Sequence, residues 1–311
     1  MYDPTSRLDD VSRVFFAQQL VAIDEEIYSE DIPEFKARRL VPTIDGVDAW
    51  ARAYLWNAVT DAGKARLASS NADDVPVVGT SRTQNTSLIN KYWSSYIYED
   101  DEILASAKMG YPLDRERARA CRRAVEQAID EAIAGGDPAT GSTGLLNQPG
   151  ATVVIAGDKA AGGKAWGTLV LPKATGEEVA RDIMALATTV ANNSKDVINK
   201  LTILLPIEAY AYAAQVKFGN ATDSTALQFA EKSPYIESIE PWFRTSTAGA
   251  GSGSRMVAYP RAKRVLGALV PQEYTVDPPL RKIHKEQVIG WAKCGGVVLR
   301  YANAVGYMDG I

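Results

Sequence analysis

Apolar residues recur every three or four positions across residues 114–134, where Ala118, Cys121, Val125, Ile129 and Ile133 fall on one helical stripe. Arg115, Arg119, Arg122, Arg123, Glu126, Asp130 and Glu131 take the opposite side, Asp114 stands at the N-cap position, and Gly135-Gly136 supplies a left-handed stop. At a rise of about 1.5 Å per residue this helix is roughly 30 Å long, and its narrow stripe suits a thin body covered on one side. A second helix opens at the capping box Thr175-Gly-Glu-Glu178 and carries Val179, Ile183, Leu186 and Val190 on one face. The unbroken apolar run 201–205 reads as a buried strand, after which Pro206 starts a third helix through Tyr210, Ala213 and Val216. Strands near 256–259 and 266–270, and two β-rich runs within 295–307 broken at Asn303, complete an α+β or α/β unit.

A different period governs residues 44–75. Trp50, Arg52, Tyr54 and Trp56 alternate with Ala51, Ala53 and Leu55, which places three aromatics and an arginine on one strand face. Thr60-Asp-Ala-Gly63 has turn chemistry and residues 64–68 alternate again on the way back, so the segment predicts a hairpin. Its aromatic face packs either on the chain's own core or on a partner, because a lone two-stranded ribbon is marginal in water. Residues 81–98, rich in Thr, Ser, Ile, Tyr and Trp, predict one or two strands. The acids 99–102 read as the solvated start of a helix, since four consecutive carboxylates cannot converge on one ion. Nearer the N-terminus, Leu8, Val11, Phe15, Leu20 and Val21 recur near helical spacing before an extended stretch at 28–33. Such an amphipathic element has to dock on its own body or on a neighbour.

Composition narrows the chemistry. A chain of 311 residues is long enough for two packing units, and 46% hydrophobic with 23% charged residues disfavours disorder and disulfide scaffolds. A net charge of -4 argues against a protein whose task is to grip nucleic acid through phosphates. His284, Cys121 and Cys294 are the full set of histidines and cysteines, too few and too scattered for a structural zinc site or a nucleophilic triad. Three glycine-rich stretches fail as nucleotide loops. Residues 136–143 lack the lysine before Ser142, Lys164 is followed by Ala165 rather than a hydroxyl, and residues 249–253 lead into a strand. No cofactor, metal or catalytic constellation is expected. The first residues predict no secretory leader, and the densest apolar run is too short to span a membrane.

The order of several short segments carries a resemblance. Phe15-Phe16-Ala-Gln-Gln-Leu20 with Asp24, Arg38-Arg-Leu-Val-Pro42, Asp73-Asp-Val-Pro76, Gly144-Leu-Leu-Asn147, Leu204-Leu-Pro206, Ile239-Glu-Pro-Trp-Phe-Arg244, Met256-Val-Ala-Tyr259, Cys294-Gly-Gly-Val-Val-Leu-Arg300 and Tyr307-Met-Asp-Gly310 together resemble the tailed-phage major capsid proteins. The resemblance spans nearly the whole chain and is thinnest in the hairpin and at 156–173. It implies an α+β chain with the Hong Kong 97-type capsid fold: an N-terminal arm at 1–43, an extended hairpin loop at 44–75, and a peripheral domain at 76–146 with a spine helix at 114–134. An axial domain at 147–270 follows, and residues 271–311 return to the peripheral domain, the end re-entering the axial one.

The same resemblance implies function. The chain would assemble with itself into hexamers and pentamers of an icosahedral virion shell in the host cytoplasm, touching packaged double-stranded DNA weakly and no membrane. Scaffolding, portal and decoration proteins are its implied partners. Intersubunit contacts would fall on Trp50, Arg52, Tyr54, Trp56, Lys64 and Arg66 of the loop and on Phe15, Phe16 and Leu20 of the arm. Lys64 and Asn303 match in kind the partners of an isopeptide crosslink. An encapsulin-type compartment shell is the alternative on the same fold, and a soluble α/β enzyme the alternative outside it.

Overall fold

The computed structural model describes residues 35–65, 67, 77–109, 115–219, 223–301 and 303–311. The chain divides into residues 1–34, which lie outside that set and include Phe15, Phe16 and Leu20, and a unit Phe35–Ile311.

Two sheets organise the larger unit. In the first, Asn90–Glu99 pairs along its length with Lys285–Cys294, whose other edge takes Gln272–Val276 and Leu280–Lys282. All these pairings are antiparallel, so one face can stay wet while the other is covered. The cover is the long helix Arg115–Gly135, whose Cys121, Val125, Ile129 and Ile133 are buried as the stripe requires. Gly290 exists for close approach: a Cβ there would lie 2.3 Å from the Tyr274 hydroxyl, which donates to Cys121 Sγ at 3.7 Å. The helix ends at Gly136, where φ is +72° and a side chain would strike the Ser142 carbonyl.

The second sheet runs Thr152–Ile155, Gly306–Asp309, Arg255–Tyr259, Leu201–Leu205, Ile236–Pro241, with parallel pairs at both edges and antiparallel pairs inside. Its inner strands are buried on both faces. Ile203, Leu205, Met256 and Ala258 pack beneath helices Gly176–Asn193, Ile207–Gln215 and Ala226–Glu231, while Leu204, Val257, Tyr259 and Tyr307 turn to the core shared with the long helix. That double burial explains the unbroken apolar spelling of residues 201–205. The expected capping box is present: Glu178 N donates to Thr175 Oγ1 at 3.3 Å, and the Glu178 carboxylate accepts from Thr175 N at 2.8 Å.

Polar staples tie the pieces together. Buried Asp130 of the long helix accepts from Ala37 N at 2.9 Å and from Arg244 Nε at 2.6 Å, fixing the short helix Ala37–Leu40. Tyr259 donates to the Leu40 carbonyl at 2.8 Å, and Tyr307 to that of Leu145 at 2.6 Å. Burial pushes the Tyr307 phenol up to about 12, so it stays a donor.

The hairpin departs from the sequence expectation. Ala53–Ala62 does form a strand, but its partner is Gly79–Leu88, not residues 64–68. Ten antiparallel pairs run from Ala53↔Leu88 to Ala62↔Gly79, which carries the return past residue 75. Alternation reports which face a residue takes and is silent on which strand answers it; a five-residue return could match only half of this ladder.

Candidate intersubunit surface

The ribbon is anchored at its base. Ile44 N donates to Ala268 O at 2.9 Å and Ala268 N to Pro42 O at 2.9 Å, joining residues 42–44 to the body. The Asp48 carboxylate then accepts from Trp50 N at 3.0 Å and the Asp48 carbonyl from Ala51 N at 3.0 Å. This aspartate turn precedes the strand, which begins at Ala53.

The four-residue stripe therefore splits. Tyr54 and Trp56 are half-buried, stack with ring centroids 6.0 Å apart, and pack on Ile44, Leu269 and Val298. Arg300 donates to the Tyr54 hydroxyl at 3.0 Å. Trp50 stands 78% exposed with Lys293 Nζ 5.3 Å from its ring centroid, and Arg52 is exposed. Lys64 is exposed beyond the strand, and Arg66 lies outside the described residues. The chain thus satisfies one half of the aromatic stripe itself and presents the other half to solvent.

Sequence reasoning missed the ribbon's second face. Leu55 and Val59 share a parity opposite to Tyr54 and Trp56, and Leu88 joins them across the ladder; all three are about half exposed. The signal was present in the alternation, masked by the larger aromatics. Further out, residues 79–84 are exposed without interruption. Beneath the base, a groove of about 640 Å³ opens between Trp56, Asn85 and Leu88 of the ribbon and Thr140, Gln148 and Leu299 of the body.

The acidic run 99–102 closes the last residue of one strand and opens helix Asp100–Met109. Arg117 holds Glu102 through two bonds of 2.8 and 2.9 Å, and this holds the Glu102 carboxyl below its ordinary value. Among the described residues no three His, Cys, Asp or Glu side chains converge as metal ligands, and no helix is long and apolar enough to cross a membrane.

The fold built from these parts has known counterparts. The capsid of Myoviridae phage XM1 is 16% identical with a TM-score of 0.78, covering 95% of this chain and 98% of that one. Mycobacterium phage Cain gives 14% identity and a TM-score of 0.61 over 94% and 97%. A virus-like particle from Pyrococcus furiosus gives 11% and 0.56 over 87% and 90%. No curated protein matches by sequence. A family profile described as major capsid protein matches residues 63–311. The fold is of the α+β Hong Kong 97 type, and the chain belongs to the major capsid protein family.

Proposed function

We propose that this chain is the structural subunit of a tailed bacteriophage head, forming hexamers and pentamers that close an icosahedral shell around double-stranded DNA. The observation that carries this reading is the ribbon: a ten-pair ladder anchored at one end, with Trp50, Arg52, Leu55 and Val59 open to solvent. A two-stranded ribbon gains little stability alone, so these residues are matched to a surface on the next subunit. Rings close when such heterologous contacts repeat about an axis, and one sequence then serves five- and six-fold positions. In this reading the sheet backed by the long helix is the peripheral domain, residues 147–270 supply most of the axial domain, and residues 1–43 act as the arm.

A net charge of -4 suits a wall that holds DNA without gripping it. Assembly in the host cytoplasm with separate scaffolding, portal and decoration proteins completes the proposal. The test is to express the chain, alone and with the scaffolding protein of its phage, and to examine the products by light scattering and electron microscopy. Hollow particles of megadalton mass are expected, and Trp50→Ala should lower their yield while the subunit keeps its thermal midpoint. A monomer that never assembles under either condition would overturn the proposal. Particles that enclose a cargo protein and never DNA would move it to the encapsulin-type compartment.

A further inference from the structure

Residues 157–173 form a loop whose interior is unusually well tied. Lys159 is fully buried and pairs with Asp182, itself 2% exposed, while donating also to the Gly157 carbonyl at 2.9 Å. The indole of Trp166, fully buried, donates to the same Asp182 oxygen at 2.9 Å. Glu178 accepts from Ala160 N at 2.7 Å, and Lys173 N and Ala174 N both reach the Trp166 carbonyl. A buried ion pair is a costly way to fix a loop, and residues in a shell subunit that are fixed this firmly have a position to keep.

What the tie holds out is apolar. The turn over Gly167–Pro172 is closed by Thr168 N to Leu171 O at 3.1 Å, and Gly167 takes φ +89° where a Cβ would strike the Leu171 carbonyl. At its tip Leu169, Val170 and Leu171 are 48%, 86% and 70% exposed. Three consecutive exposed aliphatics expose on the order of 300 Å², comparable to the largest patch on a typical monomer, which is often a functional one. The turn carries no charge.

A hollow of about 530 Å³ opens at the base of the turn, walled by Gly167 of the turn itself with Pro206, Ile207, Ala209, Phe243 and Ile311, and formed without the three tip side chains. Its wall is mixed, with apolar surface the larger share beside Glu208 and two serines, and its volume exceeds that of a valine side chain several times over. We propose that the turn Gly167–Pro172 is a contact between copies of this chain, with Val170 entering the Phe243 hollow of a second copy. This rests on the shell reading, in which the constant neighbour of each subunit surface is another copy. The area is too small for a stable dimer, which needs about 1,200 Å² or more, and suits a contact that becomes effective only when repeated around a ring.

Two variants test it. Val170→Asp places a second negative charge beside Glu208 in the contact and should cut shell yield at least tenfold with circular dichroism and thermal midpoint unchanged. In the Val170→Cys/Ile207→Cys double variant, mild oxidation of assembled shells should give a ladder of covalent oligomers that neither single variant gives; the native Cys121 and Cys294 are buried and do not compete. Shells from Val170→Asp at wild-type yield, or double-variant shells that give no ladder, would overturn the contact while leaving the shell reading intact. Wild-type chains that never form shells would remove both.

Discussion

The ribbon and the five-stranded sheet put the same kind of residue to opposite uses. In Leu201–Leu205 every side chain is buried, because helices lie on one face and the long-helix core on the other. In Ala53–Ala62 the pattern alternates instead, and it sorts residues into one face that packs on the body at Tyr54 and Trp56 and one whose Leu55 and Val59 stay about half exposed. Regular pattern therefore specifies a strand in both places, and burial separates them. Stability of the single subunit should follow burial, whereas assembly should follow the exposed alternation.

The largest effect that could break this contrast is a core truncation. Ile183, fully buried beneath the second sheet, should lose about 2–5 kcal/mol on Ile183→Ala. Val59→Ala on the ribbon, at 57% exposure, should fall within about 0.5 kcal/mol of wild type. Urea unfolding of the unassembled subunit measures both. A ribbon variant that costs as much as the core variant would mean that the ribbon belongs to the folding unit.

A smaller effect sharpens the contrast within one stripe. Trp56→Ala should destabilise by about 1–2 kcal/mol, because its ring is partly buried against Ile44, Leu269 and Val298. Trp50→Ala should leave unfolding unchanged and act on shell yield alone. Equal unfolding costs for the two tryptophans would restore the single aromatic face that alternation suggests.

That expectation failed for a local reason. Helical stripes were legible because both partners of a helix's apolar face are encoded in one period: Cys121, Val125, Ile129 and Ile133 are buried, as are Val179, Ile183, Leu186 and Val190. The capping residues Thr175 and Glu178 were legible because their bond spans three positions. The ribbon's partner strand was not, since pairing Ala53 with Leu88 joins residues far apart in sequence and no local spelling distinguishes Gly79–Leu88 from other Thr- and Ser-rich runs. The turn at Asp48, which holds the backbone at Trp50 just before the strand, was equally invisible in a period count. The tied loop at 157–173 gave no sequence signal, because Lys159 and Asp182 meet across 23 positions and read separately as surface charges.

The smallest effect concerns acid. Arg255 clasps Asp309 through bonds of 2.6 and 2.9 Å at the ends of two inner strands of the second sheet, and this pairing, ahead of the opposing cost of burial, holds the Asp309 carboxyl below its ordinary value. A carboxylate depressed in the folded state adds stability that is fully present above its unfolded value, about 3.9, and disappears as pH falls through the folded value. Asp309→Asn should therefore lower stability at pH 7 by about 1 kcal/mol, as expected for a partly exposed pair, and flatten the loss on acidification below pH about 4. The two proteins should converge at the acid end. Val59→Ala, on a strand that makes no ion pair to the body among the described residues, should follow the wild-type acid profile throughout. If that ribbon variant also flattened the profile, the ribbon would be coupled to the titrating body, and its independence of the folding unit would fail on grounds separate from any urea measurement.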